Sequence, residues 1–182
     1  MKSATNKRLS EHSSSRAHPN RMAFRGVIGE VGRSSQKSPS GAMGHRVKLP
    51  KASVVDSIHG LVGMSVNCRE DFSGHDPRRK IGVIEDAFIS GRKIVVVGYI
   101  FALDFADVIR KIQCEASDGL GMSVEFCNAR VMNPEIDVWI LSNMIFTGAA
   151  IVLREKAAFA GTQFRLLEHG NKAFGAVQPV LR

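Results

Sequence analysis

The sequence predicts an α+β fold that is mostly β, with one or two helices, preceded by a flexible basic arm. Three observations support this fold class: several short β-branched and apolar runs, one amphipathic helical pattern between them, and a polar, positively charged first quarter. The chain has 182 residues, of which 44% are hydrophobic, so it is long enough to bury one ordinary domain core.

The positive charge is confined to the first part of the chain. Residues 1–50 hold ten Lys or Arg, two Glu and nine Ser, whereas residues 51–182 hold fifteen charges of each sign. A polar, serine-rich stretch buries too little apolar surface to offset the entropy of ordering it. We therefore predict a flexible arm at 1–45, with a first strand docking from 22–31, and a folded domain at 46–182. The arm is either a solvated tail or a contact for an acidic scaffold protein or nucleic acid.

Strand and helix patterns fill the domain. Residues 93–103 read KIVVVGYIFAL, which is typical of a central strand, and the Ser90-Gly91 turn predicts a hairpin between 83–89 and 94–101. Asp104 is the predicted N-cap of a helix that ends at Asp118-Gly119. Further strands are expected at 120–127, 138–141 and 144–153. One face of the helix carries the apolar residues Phe105, Val108, Ile109, Ile112 and Ala116.

The composition argues against a metal site, a cofactor and a membrane span. The three cysteines, Cys68, Cys114 and Cys127, form no CxxC pair and the histidines are scattered singly, so we expect buried, reduced thiols, no metal and no cofactor. No apolar run reaches the roughly 18 residues that a membrane helix needs. We expect no membrane partner.

Two residues are candidates for nucleophilic chemistry. A serine hydroxyl needs a base to take its proton, and histidine suits this task near neutral pH. His75 lies in the turn Ser-Gly-His-Asp-Pro before a predicted strand, and Ser123 lies inside an apolar strand beside Gly121. The same residues also fit plainer explanations, in which His75 bonds its turn and Ser123 fills a sheet face.

An ordered set of segments resembles the prohead (capsid maturation) serine proteases of tailed bacteriophages, which share the assemblin-like fold of herpesvirus maturation proteases. The resemblance covers roughly residues 46–165. It implies a small β-barrel or sheet with a few helices. The segments are His75-Asp76 with KIGVI at 80–84, GYI at 98–100, the helix carrying DVI at 107–109, LGMSVE at 120–125 and FTGAAIV at 146–152.

The resemblance also implies a function. His75 would be the general base and Ser123 the nucleophile of a serine endopeptidase that cleaves the internal scaffold, the arm of the major capsid protein and itself. It would act inside the prohead in the host cytoplasm, and herpesvirus relatives self-associate. Two other classes stay open: an inactive, protease-like virion or scaffold-associated structural protein, and a nucleic-acid-binding protein that uses the basic arm.

The third catalytic member departs from the family pattern. Herpesvirus assemblins use a second histidine there, and many phage relatives have an acidic residue before the small apolar strand, where this chain has Thr147-Gly148. Glu125 is a candidate, because on a strand it shares the face of Ser123, although it also fits an ordinary surface residue. His169 is the only later histidine.

Overall fold

Ten strands and two short helices make up the computed structural model, which describes residues 18–115 and 119–167. The helices are α1 (Lys51–Ser57) and α2 (Ala106–Cys114). The strands are β1 (Arg21–Glu30), β2 (Arg46–Lys48), β3 (Ser65–Asn67), β4 (Lys80–Ser90), β5 (Lys93–Phe101), β6 (Leu120–Cys127), β7 (Arg130–Val131), β8 (Val138–Ser142), β9 (Ile145–Leu153) and β10 (Gln163–Leu166). The mostly-β, α+β prediction is confirmed.

Seven of these strands form one mixed sheet in the order β10-β1-β5-β4-β3-β9-β6. All neighbouring pairs in it are antiparallel except β3 and β9, which run parallel. β2, β8 and β7 form a separate three-stranded sheet. The strands β3, β9 and β6 at one end of the large sheet carry most of the residues singled out from the sequence.

The large sheet curls into a half-barrel, so that its end strand β6 packs against β1 and β10. Gly26 on β1 marks the closest approach, since a Cβ there would lie 2.0 Å from the Met122 sulfur on β6. Met122 is fully buried, as are Phe24 and Ile151. Curling therefore brings β1, β10 and β6 around one core, and Ser123, the residue after Met122, is half-buried.

The predicted hairpin and strands are confirmed, whereas the helix differs at both ends, since it ends at Cys114 and not at Asp118-Gly119. β4 and β5 pair antiparallel across a turn at Gly91, and β6 and β9 cover the expected segments. α2 buries Val108, Ile109 and Ile112, as its apolar face predicted, whereas Ala116 lies outside the described residues. The predicted N-cap is wrong, because Phe105 holds that position and the Asp104 carboxylate accepts a hydrogen bond from Asn20 instead.

The first strand that was expected to dock from 22–31 is β1 (Arg21–Glu30). β1 pairs with both β5 and β10, so residues from 21 onward belong to the sheet rather than to an arm ending at 45. Residues 33–45 also hold defined contacts: the Ser35 backbone N–H donates to the Val47 carbonyl, and Ser35 is 1% exposed. The chain becomes part of the fold here because the 22–31 segment completes the apolar interior. Residues 1–17 lie outside the described part of the chain.

All three cysteines are free thiols, but the predicted burial is correct for Cys68 only. Cys68 is buried, and burial raises the pKa of its thiol to about 11, with the nearby Arg79 charge acting in the opposite direction. Cys114 and Cys127 are exposed, because one ends α2 and the other ends β6. Within residues 18–115 and 119–167, no helix is both long enough and apolar enough to cross a membrane.

Candidate active site

The candidate site lies on the face of the sheet where β9 runs between β3 and β6. Ala150 of β9 is registered with Asn67 of β3 on one side and with Ser123 of β6 on the other. Directly opposite residues in a sheet point to the same face, as do residues two apart on one strand. Asn67, Ser123 and Glu125 therefore project from one face, with Ala150 between the first two.

The loop between β3 and β4, residues 68–79, brings His75 to this face. Its backbone is fastened to β9, because the Leu153 N–H donates to the Phe72 carbonyl at 2.8 Å. Arg69 closes the loop on itself: its backbone N–H donates to the Gly74 carbonyl and its Nε to the His75 carbonyl. The tight Gly-His-Asp-Pro turn that singled out His75 in the sequence is thus held in a defined conformation.

His75 and Glu125 are in direct contact. The imidazole Nδ1 lies 2.7 Å from the Glu125 Oε1, and their side chains are 29% and 20% exposed. Because a carboxylate only accepts hydrogen bonds, a neutral His75 donates from Nδ1–H and leaves Nε2 with a free lone pair. This tautomer is the one that a general base needs. Because both side chains are partly exposed, a ligand at the surface can reach them.

The electrostatic surroundings keep Glu125 ionised. Burial alone would raise the pKa of this carboxyl, but hydrogen bonds from His75 and Asn67, the electrostatic attraction of His75 and the positive charge of Lys80 outweigh it. The pKa of Glu125 therefore lies below its ordinary value. An ionised carboxylate beside Nδ1 stabilises the imidazolium that forms when His75 takes a proton.

Gly148 makes room for this carboxylate. Gly148 is registered with Glu125 across the β9–β6 pair and with Ser65 across the β3–β9 pair. A Cβ at position 148 would lie 2.9 Å from the Glu125 Oε2 and 2.8 Å from the Ser65 carbonyl. The Thr147-Gly148 pair, which cannot itself supply an acid, thus leaves space for an acid that comes from the neighbouring strand.

Ser123 shares the face of the His75–Glu125 pair without bonding to it. The Ser123 side chain is half-buried, and among the described residues its hydroxyl forms no hydrogen bond. The structure thus brings His75 and Glu125 together and places Ser123 two residues before Glu125 on the same strand. In proteins without substrate, the bond between a nucleophile and its base is often long and tightens only in the complex. His169 lies outside the described residues.

Asn67 is the member of the site that the sequence analysis missed. It is 1% exposed, its Nδ2 donates to Glu125 Oε1 at 2.7 Å and its Oδ1 accepts the Asp76 backbone N–H at 3.0 Å. These contacts depend on the register of three strands that are distant in the chain. The linear sequence carries no signal for them.

A second set of contacts fastens the loop to α2. The Arg79 guanidinium lies 2.7 Å from the Asp107 carboxylate, and the Lys111 ammonium donates to the Glu70 carbonyl. Both anchoring residues, Asp107 and Lys111, belong to α2. The loop that carries His75 is therefore held by the sheet on one side and by a helix on the other.

Other features of the surface do not coincide with this site. A cleft of about 710 Å³ lies beside Leu153 and Arg154, and none of the three candidate residues lines it. Within the described ranges, no group of three or more His, Cys, Asp or Glu side chains is placed to hold a metal ion.

Comparison with solved structures places the fold in a class. The chain has an assemblin-like α+β fold, because it superposes on a herpesvirus protease of that fold. The protease of KSHV, solved in complex with a hexapeptide phosphonate inhibitor, superposes with a TM-score of 0.51 at 13% identity, covering 81% of this chain. This chain spans 66% of the length of that protease.

A second structural neighbour comes from a bacteriophage. The capsid assembly protease of bacteriophage T4 superposes with a TM-score of 0.40 at 12% identity, covering 73% of this chain and 98% of the phage protein. No family model and no curated protein matches the sequence.

Proposed function

We propose that this chain is a serine endopeptidase of viral capsid maturation, in which His75 is the base, Ser123 the nucleophile and Glu125 the residue that orients the base. The observation that carries this proposal is the 2.7 Å contact between His75 Nδ1 and Glu125 Oε1 on the sheet face that holds Ser123. The contact leaves Nε2 free to accept a proton, which a structural turn histidine does not require.

The proposed reaction proceeds in two stages. His75 Nε2 accepts the Ser123 hydroxyl proton while the serine oxygen attacks a peptide carbonyl, and Glu125 stabilises the resulting imidazolium. The imidazolium then gives its proton to the amine as the C–N bond breaks, which leaves an acyl-enzyme. A water molecule, deprotonated by His75, hydrolyses that ester and releases Ser123.

The position of Ser123 suits an extended peptide substrate. β6 is the last strand of the seven-stranded sheet, and among the described strands it pairs only with β9. An extended peptide can bind along the edge of such a strand, because the backbone groups there are not used in the sheet ladder. By the family resemblance, the substrates are the capsid scaffold, the arm of the major capsid protein and the chain itself, within the prohead.

The nucleophile is tested by comparing the purified full chain with its Ser123→Ala and His75→Ala variants. We expect the parent to trim itself or a co-expressed scaffold, and to gain the mass of a peptide phosphonate that reacts with nucleophilic serines. Ser123→Ala should show neither change, and His75→Ala should react far more slowly. Ser90→Ala, at an exposed residue ending β4, is the matched control and should behave like the parent.

The outcome also decides between an active protease and an inactive, protease-like structural protein. Labelling of Ser123→Ala at the parental rate would exclude Ser123 as the nucleophile. A parent that neither cleaves nor labels would favour a protease-like structural protein, and the absence of a His75–Ser123 hydrogen bond is the observation on that side.

A further inference from the structure

Asn67 uses both ends of a buried carboxamide. Its Nδ2 donates to the Glu125 Oε1 and its Oδ1 accepts the backbone N–H of Asp76, while the residue itself is 1% exposed. The two partners fix the orientation of the amide, because a carboxylate only accepts and a backbone N–H only donates. A buried polar side chain satisfied at both ends in this way holds its two partners at a fixed separation.

The partners of Asn67 belong to separate parts of the chain. Glu125 lies on β6, and Asp76 directly follows His75 in the loop between β3 and β4. To reach Glu125, the side chain of Asn67 crosses β9 at Gly148 and Ala150, which are registered with the neighbouring residues of both strands. The absence of bulky side chains at these two positions permits the crossing. Asn67 thus connects the acid of the site to the backbone that carries the base.

The neutrality of the Asn67 side chain also suits this position. The Glu125 Oε1 accepts from both His75 Nδ1 and Asn67 Nδ2, and Lys80 adds a positive charge nearby. On the loop side, Asp76 follows His75 and the Arg69 Nε donates to the His75 carbonyl. The neutral carboxamide of Asn67 donates a hydrogen bond to the partly buried Glu125 carboxylate without neutralising its charge. The negative charge of Glu125 therefore remains available to the imidazole.

We propose that Asn67 is a positioning residue of the site, which holds the Glu125 carboxylate and the His75 loop in the geometry that proton transfer requires. The proposal rests on the proposed function for its catalytic meaning. The alignment of His75 with Glu125, which the proposal requires, can be measured independently of activity.

Asn67→Asp provides the test, because it keeps the shape and the acceptor of the side chain and removes the donor to Glu125. The new carboxylate faces Glu125, and two like charges in contact disfavour each other's ionised form. We expect kcat for a peptide substrate to fall about 10- to 100-fold, the range set by one hydrogen bond to a charged group, with KM changed less than about threefold. We also expect loss of the downfield His75 Nδ1–H proton resonance.

Asn20→Asp is the matched control. Asn20 has the same pair of partners at a remote position: its Nδ2 donates to the Asp104 carboxylate at 2.7 Å and its Oδ1 accepts the Leu103 N–H at 2.7 Å. This control should leave both kcat and the His75 resonance unchanged. An Asn67→Asp protein with parental kcat and an intact resonance would overturn the proposal.

Two further measurements keep the proposal testable if Asn67→Asp fails to fold. Asn67→Ser removes the bridge without adding charge and should show the same loss of the resonance. In the unmodified protein, the Asp76 backbone N–H should exchange slowly with solvent, and fast exchange there would contradict the bridge. If the peptide phosphonate labels Ser123 in the parent but the expected effects of the Asn67 variants are not seen, the positioning role of Asn67 is excluded and the protease proposal stands. If the parent is inactive while the resonance behaves as expected, only the proposed function fails.

Discussion

At the scale of single residues, Glu125 illustrates how two opposed effects decide an ionisation state. Burial disfavours the charged carboxylate, whereas His75 and Asn67 donate to it and Lys80 adds a favourable charge, and the pKa of Glu125 falls below its ordinary value of 4.5. A carboxyl whose pKa is lower in the folded state stabilises the fold at pH values above its unfolded pKa. That stabilisation is lost as the pH falls through the folded value.

Glu125→Gln tests this balance. The amide has nearly the same shape but no charge, so we expect the free energy of unfolding to fall by about 1–3 kcal/mol at about pH 6. The difference from the parent should shrink as the pH falls through the lowered pKa of Glu125, because the parent carboxyl then becomes neutral as well. Urea unfolding across this range gives the measurement. Glu85→Gln, an exposed site on β4, is the control, and an equal pH dependence there would contradict the explanation.

At the scale of elements, β9 is the strand that allows two others to meet. β3 contributes Asn67 and β6 contributes Ser123 and Glu125, and side chains from both extend across the intervening strand. Such a crossing needs small residues between them, and β9 has Gly148 and Ala150 on this face. The run of small residues that the sequence presents as part of an apolar strand is therefore a spacer in the site.

Gly148→Ala tests the spacer. The added methyl group would meet the Glu125 carboxylate and the Ser65 carbonyl at under 3 Å, so one of them has to move. We expect a loss of about 1–3 kcal/mol in the free energy of unfolding. Because the displaced group orients the base, kcat should fall by roughly 10²-fold. Gly60→Ala, where an added Cβ meets no atom within 4 Å, should change neither quantity. Equal effects at both positions would exclude the steric explanation.

The loop between β3 and β4 is held in place by several elements of the fold. Asn67 and Glu125 hold it against the sheet, and the Arg79–Asp107 pair holds it against α2. Ion pairs this exposed contribute at most about 1 kcal/mol, because water screens them. The buried contacts on the sheet side therefore dominate the positioning of His75.

At the scale of the whole molecule, the curl of the sheet decides where Ser123 lies. Met122 fills the space over Gly26 of β1, and Ser123 follows it on the opposite face of β6. The packing of the half-barrel and the position of the nucleophile candidate are thus set by consecutive residues of one strand.

Gly26→Ala tests this coupling. A Cβ at position 26 would lie 2.0 Å from the Met122 sulfur and 3.2 Å from its Cγ, so a fully buried side chain has to shift. We expect the free energy of unfolding to fall by about 1–3 kcal/mol in urea titrations. Gly29→Ala on the same strand meets only ordinary contacts, at 3.6 Å and beyond, and is the control. A Gly26→Ala protein as stable as that control would argue against tight closure of the half-barrel here.

The sequence alone determined the fold class, most strands, the face of α2 and the candidates His75, Ser123 and Glu125, because these follow from local periodicity, turn chemistry and an ordered set of motifs. The tertiary structure decided the rest. The placement of β1 in the sheet, the contact between His75 and Glu125, the space at Gly148 and the bridge formed by Asn67 all depend on strand register between distant segments. Local pattern does not encode register, since register is set by how whole strands fill a shared core.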